Sequence, residues 1–190
     1  GAHSIKYGTM TYSGIMPRDP INVIFYGNGS AEDVYYDLRN WASRRWSATG
    51  CGIEFFTRQR VYVWDAAHAG GWDGWQDQFE DPADGMGQLE RNAAFCGSSR
   101  YHLRLFGGHV PDDDPNGFGE WSVTAAHWDY FGHLVAGSWE RAEDEVEASV
   151  KSSGRPMWFV GRIWSTWIGN RGTFQVSTND GYATFVELRY

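Results

Sequence analysis

An α+β fold class, with one largely antiparallel sheet and two main helices, follows from three features of the sequence. Short runs rich in β-branched and aromatic residues recur along the chain, and two segments carry helical hydrophobic spacing. Their order reads β-α-β-β, a long irregular loop, then β-β-α-β-β-β, which is not the strict alternation of a parallel α/β fold. One domain over 1–190 is expected, because 190 residues and 21.5 kDa can bury a core without staples.

Residues 1–20 are expected to be irregular. Their start, Gly1-Ala2-His3-Ser4, fits either a cloning scar or the trimmed end of a secreted or excised domain. Ile21, Val23, Ile24, Phe25 and Tyr26 lie between Pro20 and Gly27, which predicts a strand. After a turn at Gly27-Asn28-Gly29, Ser30 stands as an N-cap before Glu32 and Asp33. Val34, Leu38 and Trp41 then repeat at helical spacing. The pattern predicts a helix over 31–46, with Trp41 in the core and Arg44 and Arg45 at the C-terminal dipole end. Residues 53–56 and 61–64 predict two short strands.

Residues 65–99 show no sustained period, so a long acidic and aromatic loop is expected there, with room for one short helix near 86–95. From Arg100 the chain alternates: Tyr101, Leu103 and Leu105 fall on one face, His102, Arg104 and Phe106 on the other. A strand over 120–129 is predicted to pair with it. Ser138 caps a predicted second helix whose stripe is Trp139, Ala142, Val146 and Val150, while Glu140, Glu143, Asp144, Glu145 and Glu147 face water. Ser152-Ser153-Gly154 ends it. The tail predicts strands over 157–167 and 173–178, a turn at Asn179-Asp180-Gly181, and a returning hairpin strand over 182–188.

The formal charge of −8 is unevenly distributed. Residues 65–150 carry 17 Asp and Glu against 4 Arg, whereas the segments on either side are slightly basic. A nucleic-acid groove and an anionic lipid surface both need clustered cations, so neither partner is expected. The apolar runs are too short for a bilayer, which predicts a soluble chain without membrane insertion. Cys51 and Cys96 allow one internal disulfide at most and form no CxxC or zinc pattern, so redox state stays open, and with it a secreted or extracytoplasmic setting.

His127-Trp128-Asp129-Tyr130-Phe131-Gly132-His133 is the densest polar cluster. On a strand, His127 and Asp129 share a face, and a turn at Gly132 would return His133, giving two imidazoles and a carboxylate that suit zinc or iron. Hydrogen bonding within a half-buried sheet accounts for the same residues. His102 and Arg104 also share a face; if their strand neighbours the one bearing His127 and Asp129, four polar groups converge. Such a group would hold an anion through Arg104 and use a histidine as general acid or base. No nucleophile motif accompanies it, and an Arg–acid pair on a sheet is the plainer account. Asp112, Asp114 and Asn116 before Gly117 match half of a calcium loop, with Glu120 as a partial substitute for the bidentate Glu, because Val123 stands where that residue belongs. A solvated Asp/Asn/Gly turn reads equally from those letters. Trp72 and Trp75 in the Gly-rich stretch suit stacking on a sugar or aromatic ligand.

In order these pieces resemble the LssY carboxy-terminal domain family, a bacterial domain sometimes found after membrane phosphatase-like segments. The resemblance runs from Ile21 to Gly27, through Asp37-Leu38-Arg39-Asn40-Trp41, and returns over 100–106. It continues over 121–129 to His133 and Glu140-Arg141-Ala142-Glu143-Asp144. Tyr101 stands where an adjacent histidine is expected, Phe106 replaces a tryptophan, and Trp139 lies near an expected acid. The tail after Gly154 has no counterpart. The resemblance implies one polar site of His102, Arg104, His127, His133 and Arg141, and it carries no reaction.

The leading expectation is a ligand-binding domain with a polar His/Arg/Asp site for a small molecule, in which a divalent ion, zinc or calcium, is a candidate cofactor. One alternative is a hydrolase-like enzyme acting on an anionic ester, with His127, Asp129, His102 and Arg104 as its catalytic groups. Another is a non-catalytic module that binds glycan or protein through Trp72 and Trp75.

Overall fold

The structure, a computed structural model, describes residues 5–6, 10–13, 16–27, 31–42, 44–48, 60–65, 72–81, 85–86, 88–95, 98–109, 120–130, 135–136, 139–154, 157–164 and 182–189. Expectations that fall on Ser30, residues 53–56, Cys51, Cys96, Asp112, Asp114, Asn116, His133, Ser138, and residues 173–181 lie outside these.

The described elements, in order, are β1 (Ile5–Lys6), β2 (Met10–Ser13), β3 (Met16–Pro20), β4 (Val23–Gly27), α1 (Ala31–Asn40), β5 (Ser47–Ala48), β6 (Arg60–Asp65), β7 (Trp72–Asp77), β8 (Glu80–Asp81), β9 (Gly85–Met86) and β10 (Gln88–Arg91). There follow β11 (Arg100–His109), β12 (Glu120–Tyr130), β13 (Val135–Ala136), α2 (Trp139–Lys151), β14 (Met157–Trp164) and β15 (Tyr182–Leu188). The fold is α+β, as the sequence predicts. Its larger sheet runs β14-β15-β4-β12-β11-β10-β5, with β13 beside β12, and every pairing in it is antiparallel except β15 with β4. A smaller antiparallel sheet joins β1, β6, β2 and β3, with β7 on β6. Residues 5–20, left without an element by the sequence reading, contribute β1 to β3.

Strand alternation sorts the larger sheet into two faces. One face carries Val23 and Phe25 from β4, Leu89 from β10, Tyr101, Leu103 and Leu105 from β11, and Val186 and Leu188 from β15. Val34, Tyr35 and Leu38 of α1 and Ala142, Val146 and Val150 of α2 pack on that face as one buried cluster. Both helices therefore lie on the same side of the sheet. The trailing end of β7 joins the two sheets: Gln78 bridges to Phe106, and Phe79 N–H donates to the Leu105 carbonyl at 2.8 Å, in the lane that β10 leaves open beside β11.

Several expectations are corrected. The first helix stops at Asn40, six residues before the predicted end, and Trp41 is 52% exposed. The chain turns back there because Trp41 and Ala42 N–H both donate to the Asp37 carbonyl and Trp46 N–H to that of Leu38. Trp46, fully enclosed, occupies the core position that the helical stripe assigned to Trp41. Arg44 and Arg45 accordingly lie beyond the helix end. Residues 65–99 are not one loop but contain β7 to β10, and the short helix expected near 86–95 is replaced by β9 and β10. Asn92, at φ 63°, ends β10 in the left-handed region that asparagine tolerates. Trp72 and Trp75 are thus strand residues, in register with Trp64 and Tyr62 of β6, rather than members of a binding loop. Glu143, predicted to face water, is fully buried: it lies four residues from Trp139 and three from Val146, inside the stripe, and accepts a 2.7 Å hydrogen bond from Thr184 Oγ1. The partner expected for 182–188 lies outside the described residues; the pairings seen are to β14 and, in parallel, to β4.

Candidate functional site

The face of the sheet turned away from the helices carries His102 and Arg104, two of the polar residues that the sequence singled out. On β11 it presents Arg100, His102 and Arg104, at 1%, 0% and 3% exposure, and on neighbouring β10 it presents Gln88 and Glu90. An extended strand puts every second side chain on one face, so three nitrogen-bearing groups follow each other at two-residue steps. β12 supplies the other flank: His127 stands directly opposite His102, Asp129 opposite Arg100, and Ala125 opposite Arg104. The predicted pairing of these two strands is therefore present, and with it the backbone juxtaposition of His102, Arg104, His127 and Asp129.

Gln88 and Glu90 contact His102 and Arg100 of β11. Gln88 Oε1 lies 2.8 Å from Nε2 of His102, where an Nε2–H tautomer donates to it. Arg100 Nε lies 3.0 Å from Glu90 Oε2, and its Nη1 donates to the Ser98 carbonyl at 3.1 Å. Both contacts are diagonal, since Gln88 is in register with Arg104 and Glu90 with His102. A diagonal reach is within range of long side chains. Gln78, also buried, reaches the same face beside Phe106.

Arg141 does not join this group. Its Nε donates to Tyr101 Oη at 3.2 Å and its guanidinium carbon lies 5.5 Å from the Tyr101 ring centre, on the helix side of the sheet. The single site implied by the resemblance is thus divided by the sheet itself, because Tyr101 and His102 are consecutive residues of one strand. Glu120 opens β12, in register with Gly27, and the remaining residues of the half calcium loop lie outside the described residues. Among the described residues no group of three or more His, Cys, Asp or Glu has metal-holding geometry. No helix among them is long and apolar enough to cross a membrane.

Sequence reasoning missed Gln88 and Glu90. Their signal was a Gln-x-Glu alternation within a segment read as loop, and only the pairing of β10 with β11 gives it meaning. No family model, no curated protein and no solved structure matches this chain.

Proposed function

We propose that this chain is a ligand-binding domain whose polar wall is the β10–β11 strand face, and that Arg104 receives the acidic group of a small molecule. The observation that supports it is the burial of Arg100, His102 and Arg104 at alternate positions of one strand. Enclosing such groups costs free energy that apolar residues would not, and the opposite face of the same strand is apolar at Leu103 and Leu105. A guanidinium presents a planar fork that matches carboxylate or phosphate.

The test is calorimetric titration of the full chain with inorganic phosphate, with citrate and with a neutral disaccharide. Expected are saturable binding of an anion and at least a tenfold loss in Arg104→Gln, a change of about 1.4 kcal/mol. At 3% exposure Arg104 is reached only after local opening, so association is expected to be slow. Absence of anion binding, or equal binding by a folded Arg104→Gln variant, overturns the reading.

The direct register of His127 with His102 attaches an acid/base extension to the same face. Under that extension the domain hydrolyses an anionic ester, and aryl phosphate turnover is lost in His127→Ala. Turnover that persists in the folded variant rejects it.

A further inference from the structure

We draw no further inference here: the strongest candidate, the exposed Trp158 and Val160 of β14 at the end of the larger described sheet, carries none because nothing in the structure shows what covers it.

Discussion

Arg162 of β14 gathers three carboxylates of α2. Its Nε donates to Glu147 Oε2 at 3.1 Å and lies 3.7 Å from Glu143 Oε1, while Nη2 bonds Asp144. Burial works against the guanidinium charge, but these acids hold it well above the usual arginine range. Burial likewise raises the Glu147 carboxyl; the hydrogen bonds from Lys151 and Arg162 outweigh it and leave the group below the ordinary glutamate value. A carboxyl with a depressed folded pKa contributes stability that is present above its unfolded pKa and lost as pH falls through its folded value. The urea midpoint is therefore expected to drop as pH is lowered below about 4.3, the unperturbed glutamate value, and Glu147→Gln should flatten part of that slope. An unchanged slope in Glu147→Gln would remove the pair from the account. Removing the cation is harsher, because Glu143 has no exposed surface to rehydrate. Arg162→Ala is expected to cost about 1 to 2 kcal/mol in urea titrations at pH 7, since the guanidinium is partly exposed and Glu143 keeps its Thr184 hydrogen bond.

Two glycines separate steric from conformational constraint at the level of elements. Gly27, at φ +124°, ends β4 where a Cβ would run into the backbone of Leu188 on β15, closer than real side chains allow. Gly161, at φ +152°, sits at the bulge that shifts the β14–β15 register, and a Cβ there meets open space. Gly161→Ala is thus expected to cost only the backbone term, about 1 kcal/mol, whereas Gly27→Ala adds a clash at the parallel β15–β4 pairing and should cost about 3 kcal/mol or more. Equal thermal shifts for the two variants would contradict this. Helix α2 was legible because its stripe of Trp139, Ala142, Val146 and Val150 is local and complete, and all four are buried. Polarity points Glu143 to water, but its position inside the stripe buries it. In β11 the alternation was read correctly on both faces, since a period of two needs no knowledge of the neighbours.

Charge acts on the molecule as a whole. With a formal charge of −8 and a sequence isoelectric point near 5.1, self-repulsion keeps molecules apart at neutral pH and fades on acidification. Turbidity against pH is expected to peak near 5.1, and a peak above pH 7 would contradict the charge count. Within the fold, acids of the middle segment do particular work: Glu145 accepts from Arg44 at 3.1 Å and Arg91 at 2.7 Å, tying the chain after α1 and the end of β10 to α2. The acid excess is thus partly spent on docking α2.

By itself the sequence determined the α+β class, the alternation of β11, its pairing with β12 and the buried stripe of α2, because periods of 2.0 and 3.6 residues are written into consecutive letters. Only the tertiary structure decided that β4 lies between β12 and β15, that residues 72–77 and 88–91 are strands, and that Trp46 rather than Trp41 enters the core. It also decided that Arg141 and His102 stand on opposite faces of one sheet. Short strands of mixed polarity gain their free energy from partners far along the chain, and a side chain's burial depends on what is laid over it; neither is recorded in the local order of residues.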